Sequence, residues 1–408
     1  MRRAPLLALA SGVAAVLAAA AAAQAPPVAP GLTDEARVSL LTMLPGEEVY
    51  SLFGHSALRV RDAAAGLDRT YNYGTFDFDQ PFFVLRFLGG RLDYQLDTVP
   101  FWAELAKYQA LRRPVIEQTL RLPPEAVRAL YARLEENALP ENRSYRYDFF
   151  WDNCSTRLLD VVDSALVSVG APGLALPPAE APETFRQLLS PYWAAVPAVQ
   201  FGADLGLGLP ADRVATAREE AFLPLELAAQ LDRATVGGRP LVARRDTLFW
   251  VEGAGLPAEA PDLPLWAGWL LLAAGVAATA AGGWRPTAAV GRAADAALFG
   301  VVGFAGTVLF LLWTATAHQV TGPNLNVLWA WPTHLAAAWA VGRGRVGARW
   351  RTYLLAAAAA AALTAVLWAA LPQALPAPAL PLALLVALRA GVRGWASVPA
   401  RSPAVASG

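Results

Sequence analysis

Trp151-Asp152-Asn153-Cys154-Ser155-Thr156-Arg157 holds the only cysteine in the chain. The polar run marks a helix start at Asn153 or Cys154, and the pattern carries that helix to about residue 169. One cysteine excludes a disulfide within the chain. A free thiol is usually buried and inert, but the first turn of a helix favours thiolate through its unpaired N–H groups and dipole. A thiolate is the nucleophile of acyl transfer through a thioester, and it needs a base. Of the three histidines only His55 lies before the long apolar stretches; His318 and His334 lie among them. His55 sits in Tyr50-Ser51-Leu52-Phe53-Gly54-His55-Ser56. Alternation over 56–60 predicts a strand, with 70–78 as its hairpin partner across the small-residue loop 63–66. Asn72, on that partner, is the candidate to orient the imidazole, with Asp77 and Asp148 as alternatives. Asp152, Asn153 and Ser155 flank the thiol as candidate oxyanion or supporting groups.

Outward from this pair the chain divides in two. Apolar residues make up 56% of it and charged ones only 16%, where a soluble protein carries about a quarter. Acidic residues are frequent up to Asp262, and beyond it only Asp295 remains. Mean hydropathy is +0.36. Hydrophobic segments lie near 264–282, 294–317, 325–341, 352–371 and 377–396, each approaching the ~20 residues of a membrane helix. The arginines separate long apolar runs and form no continuous basic face, which points to membrane rather than nucleic acid. Arg285 and Arg292 follow the first segment, Arg343, Arg345, Arg349 and Arg351 the third, and Arg389, Arg393 and Arg401 the fifth. The loops after the second and fourth carry no Lys or Arg. The positive-inside rule therefore puts the C-terminus in the cytoplasm and the region before the first span outside. Arg2, Arg3, the apolar run 6–23 and Ala23-Gln24-Ala25 read as a secretory signal, which agrees.

The expected organisation is a signal peptide (1–25), an extracytoplasmic α+β domain (26–262), a transmembrane bundle of about five helices (263–398) and a cytoplasmic tail (399–408). Further helices are expected at 34–44, 101–111, 124–137 and 211–235, and a late strand at 240–251. The stretch 76–94 is rich in aromatics and reads either as core or as a lipid-contacting surface. No cluster has metal-ligand spacing and no Gly-rich phosphate loop occurs, so neither a metal nor a cofactor is expected.

Leu41-Thr42-Met43-Leu44-Pro45-Gly46, the segment 53–60, Tyr71-Asn72-Tyr73-Gly74-Thr75-Phe76 and Asp152-Asn153-Cys154-Ser155-Thr156-Arg157 resemble the periplasmic domain of Lnb-type bacterial lipoprotein N-acyltransferases. The stretches 204–212 and 222–224 are similar to further segments of that family, and His318, Pro323, Asn324 and Asn326 to its membrane signature. The resemblance implies a permuted papain-like fold, similar to NlpC/P60 and lecithin:retinol acyltransferase proteins, in the inner membrane. It implies Cys154 as nucleophile and His55 as base, with acyl chains moving from phospholipid to the N-terminal amine of a diacylated lipoprotein. Tyr50, Tyr73, Arg157, His318, Asn324 and Asn326 are the candidate substrate contacts, and membrane lipid is the expected surrounding. A Cys–His hydrolase acting on phospholipid or peptidoglycan, or a non-catalytic scaffold, remains open on the residues alone.

Overall fold

The computed structural model describes residues 31–75, 86, 89–91, 93–178, 181–281 and 289–396. The signal segment, Asp77, most of the aromatic stretch, Arg285 and the tail lie outside the described residues.

The N-terminal domain is built on an antiparallel sheet. Its strands are β1 (Arg37–Met43), β2 (His55–Asp62), β3 (Leu67–Thr75), β4 (Asp93–Pro100), β5 (Val115–Leu120), β6 (Ser144–Arg146) and β7 (Val242–Phe249), in the order β6-β4-β3-β2-β1-β5-β7. The expected hairpin is β2–β3, with Leu58 opposite Tyr71 and Asp62 opposite Leu67. The expected helix at 34–44 is instead β1. It lies between β2 and β5 and is buried on both faces, so its apolar run lacks the alternation that marks a half-exposed strand.

Helices α1 (Phe101–Ala110), α2 (Pro124–Ala138) and α3 (Cys154–Ser168) stand close to their expected bounds. Between α3 and the membrane domain lie α4 (Phe185–Leu189), α5 (Pro197–Gly206) and α6 (Pro224–Arg233). The helix expected over 211–235 is thus divided, since Pro224 opens a new helix where its missing N–H is tolerated. Val38, Leu40, Leu58, Val60, Tyr71 and Tyr73 join α2, α3 and α6 in the main core. Leu41, Met43 and Ala57 pack with Tyr108 of α1 on the opposite face. Leu58 is fully buried, and its truncation to Ala should cost about 2–5 kcal/mol.

The C-terminal domain is helical: α7 (Leu263–Ala280), α8 (Ala289–Ala315), α9 (His334–Gly342), α10 (Ala348–Val366) and α11 (Ala379–Ala396). Among the described residues α7 and α8 are long and apolar enough to cross a membrane. The third apolar segment is not one helix. A 3-10 turn at Leu325–Leu328 precedes α9, whose nine residues span only ~14 Å. Arg389 and Arg393 do not follow the fifth helix either; they lie within α11, buried against Asp295 of α8. Arg389 Nε lies 2.7 Å and Arg393 Nε 2.5 Å from its carboxylate, and Arg389 also donates to Thr279 of α7 at 2.7 Å. Buried charge is tolerated here because it is paired across three helices.

Candidate active site

The sheet opens at one end of the hairpin. Pairing of β2 with β3 runs from Asp62 only as far as Leu58, so His55 and Ser56 lie beyond the ladder. On β3 the register with β4 shifts between Asn72 and Thr75, where Gly74 has φ +88°. That conformation suits glycine, and a Cβ on Gly74 would stand 3.4 Å from the Cys154 Cβ. The first turn of α3 fills this notch, and α3 packs on both β2 and β3.

Asn153 caps α3. Its side-chain oxygen accepts from Ser155 N at 2.7 Å and Thr156 N at 3.0 Å, while Thr156 Oγ1 accepts from Asn153 N at 2.8 Å. Its amide nitrogen donates to the Phe149 and Phe222 carbonyls, each at 2.7 Å. Asn153 and the Ser155 amide thus build the cap at the start of α3. The Ser155 hydroxyl donates to Ser56 Oγ at 3.2 Å, fastening the helix start to β2.

Cys154 is partly buried. Burial pushes its thiol above the ordinary value, and hydrogen bonds from Ser56 N, the Ser155 side chain and the local backbone oppose this without winning. The helix start thus does not by itself give a thiolate, contrary to the expectation from its dipole. The Ser56 amide that reaches the thiol follows His55 directly in the chain, which puts the thiol beside the start of β2.

His55 Nε2 lies 3.0 Å from Asn72 Oδ1. Asn72 faces the Glu104 carboxylate as well, through its other end. The amide nitrogen therefore turns to Glu104 and the oxygen accepts from His55 Nε2–H, leaving Nδ1 as the basic nitrogen. Burial first, with Lys107 and Arg113 adding to it, pushes the imidazole down to about 4 despite the Asn72 bond. At neutral pH Cys154 is a thiol and His55 a neutral imidazole. Glu104, 4% exposed on α1, was missed in the sequence; a carboxylate on the apolar face of that helix was the available signal.

Asp152 holds Arg157 at 2.5 and 2.8 Å, and the guanidinium stacks 3.6 Å above Tyr145. Asp148 Oδ1 accepts from Phe150 N and Trp151 N, shaping the turn before Cys154 and not meeting His55 through these bonds. Tyr73 is buried and its hydroxyl accepts from Asn137 at 2.7 Å, whereas Tyr50 is 69% exposed.

The loops carrying the pair meet the membrane domain. Phe53, Phe149, Phe150 and Trp151 join Phe185, Tyr192, Trp193 and Phe222 in an aromatic cluster that includes Val320 from the loop after α8. In that loop Ala317 N donates to Gly89 O at 3.0 Å, and His318 stands against Gly90. Gln319 reaches Asp148 at 3.5 Å. Asn324 and Asn326 are buried and their amide nitrogens donate to Leu205 O at 2.7 and 3.4 Å. Gln373 donates to Leu207 O at 3.1 Å, and Gly208 N to Val320 O at 2.7 Å. The two asparagines thus seat α5 on the membrane domain and have their amides engaged within the protein. His334 is buried between Tyr353 and the Trp329 carbonyl, away from this interface.

No group of three or more His, Cys, Asp or Glu suited to a metal occurs among the described residues. Residues 32–190 match the family model of the Lnb N-terminal periplasmic domain, and residues 259–399 match that of the Lnb transmembrane domain. No curated protein and no solved structure matches the chain. The matches agree with an α+β periplasmic domain followed by a helical membrane domain in the inner membrane.

Proposed function

We propose that this chain, which belongs to the Lnb family by both of its domains, is a membrane-bound thiol acyltransferase of lipoprotein processing. The family supports the coarser reading, a lipoprotein-processing membrane enzyme. The finer one is carried by one observation: the loops bearing Cys154 and His55 pack directly on a membrane-domain loop through the cluster containing Val320. A thiol site in that position meets substrates that reside in a bilayer. In this reading the N-terminal domain is permuted papain-like, the five helices α7–α11 form the membrane bundle, and the C-terminus is cytoplasmic.

The reaction follows from two neutral partners. His55 Nδ1 takes the Cys154 proton as the sulfur attacks an ester carbonyl of a phospholipid. The N–H groups of Cys154 and Ser56 face the sulfur and receive the oxyanion. Collapse breaks the ester C–O bond, and the imidazolium protonates the departing lyso-lipid oxygen. The N-terminal amine of a diacylated lipoprotein then attacks the thioester, giving its proton to His55. The thiolate leaves and recovers that proton. Asn72 keeps Nδ1 free to act as the base, and Glu104 holds Asn72 in register.

Mass analysis of native lipoproteins from a deletion strain tests the reading. Lipoproteins should lose the N-acyl chain and regain it with the wild-type gene but not with Cys154→Ala. Unchanged lipoproteins in the deletion strain would overturn it.

A further inference from the structure

A cavity of about 380 Å³ lies between α2 and α3, and the reaction derived above leaves it unused. Arg133 contributes from α2, Arg157 and Asp160 from α3, with Tyr73, Trp151 and Asp152. Arg157 follows Cys154 by three residues, so along α3 the cavity wall begins within one helical turn, ~4.5 Å of rise, past the Cys154 backbone.

The charges on this wall are unevenly compensated. Asp152 neutralises Arg157, and Arg218 from outside the cavity neutralises Asp160 at 2.6 Å. Arg133 has no carboxylate partner among the described residues and is exposed. The cavity therefore carries one uncompensated guanidinium with two carboxylates close by. Trp151 is shared with the aromatic cluster that meets the membrane-domain loop, so the cavity adjoins the side of the site that touches that loop.

We propose that this cavity receives the headgroup phosphate of the acyl donor, a site that rests on the acyl-transfer reading. In a glycerophospholipid only the glycerol unit separates the reacting ester from the phosphate, a span comparable to that helical turn. An ester carbonyl at the Cys154 sulfur brings the phosphate into this cavity, where Arg133 is the guanidinium without a carboxylate partner among the described residues. A guanidinium recognises phosphate through paired N–H bonds. Asp152 and Asp160 are already held by Arg157 and Arg218, so the phosphate, and not a headgroup ammonium, is what the uncompensated Arg133 recognises.

The test uses full-length Cys154→Ala protein in a phosphate-free detergent, so that binding is read without turnover. Short-chain phosphatidylethanolamine, glycerophosphoethanolamine, inorganic phosphate and diacylglycerol are titrated by calorimetry. Arg133→Glu should weaken phosphatidylethanolamine binding about ten-fold or more, Arg133→Lys should weaken it less, and diacylglycerol should bind all three proteins alike. Unchanged phosphatidylethanolamine binding in Arg133→Glu overturns the site, as does equal weakening for diacylglycerol. Free phosphate binding more tightly than the lipid overturns the lipid assignment. Arg133-dependent lipid binding with no acyl transfer by the wild type keeps the cavity and discards the reaction. Acyl transfer with an unchanged donor KM in Arg133→Glu keeps the reaction and discards the cavity.

Discussion

Replacing Asn72 with Ala separates the orienting of His55 from its basicity. The imidazole is held at about 4 instead of 6.5, chiefly by burial. At 1.36 kcal/mol per pKa unit, this disfavours imidazolium by about 3 kcal/mol. The base is therefore unprotonated above about pH 5, and the acid limb of kcat/KM in the wild type should fall near pH 4. The Asn72 bond raises the imidazole value, so its loss lowers that value further and moves the limb down, not up. Asn72→Ala also removes a part-buried hydrogen bond of 3.0 Å, for which about 1–3 kcal/mol is the usual loss. Expressed on the orientation of Nδ1, that is a fall in kcat of roughly ten- to a hundred-fold with KM little changed. Single-turnover thioester formation across pH 3.5 to 9 reads both effects, and iodoacetamide alkylation of Cys154 gives an independent probe. Alkylation of the wild type should rise only in the alkaline range, since burial holds the thiol up. An acid limb near 6.5, or an alkylation plateau below neutrality, would refute the neutral-pair argument. An unchanged kcat in Asn72→Ala would refute the orienting role.

Gly208→Val should unseat the periplasmic domain from the membrane domain, because its Cβ would stand 2.4 Å from the Pro323 carbonyl oxygen. Activity should fall while circular dichroism of the sheet is retained. Asp295→Asn should destabilise the membrane domain by about 3–5 kcal/mol, seen as a lower melting temperature in detergent, because two buried arginines lose their counter-charge. A reporter active only outside the cytoplasm should be active when fused after Val251 and silent after Gly408; the reverse pattern would overturn the orientation.

What the sequence disclosed depended on whether the signal was local. The β2–β3 hairpin showed because small residues separate two alternating runs, and α3 because a polar cap precedes an amphipathic stretch. Cys154 and His55 drew notice by rarity, and Asn72 by its place on the adjoining strand. β1 was misread because burial on both faces removes the period of two. The third membrane segment was misread because hydropathy does not register that Trp331-Pro332 interrupts the backbone bonding. Arg389 and Arg393 resembled loop charges because their partner, Asp295, lies about a hundred residues away in sequence. Long-range pairing of the same kind hid the contacts of Asn324 and Asn326 with α5 and of Gln373 with Leu207, and the bearing of Glu104 on Asn72. The helix dipole was visible in sequence, but the burial that outweighs it at Cys154 belongs to the folded protein.

The most direct measurement is mass spectrometry of the full-length protein after exposure to phospholipid without an acceptor amine. One acyl chain should appear on Cys154, released by hydroxylamine and discharged by a diacylated lipoprotein to give the N-acylated product. Cys154→Ser should carry no hydroxylamine-sensitive acyl group and convert no acceptor, because its hydroxyl is far less acidic than the thiol. Free fatty acid as the sole product of the discharged thioester would make the enzyme a hydrolase. Acceptor conversion by Cys154→Ser at the wild-type rate would contradict the central claim.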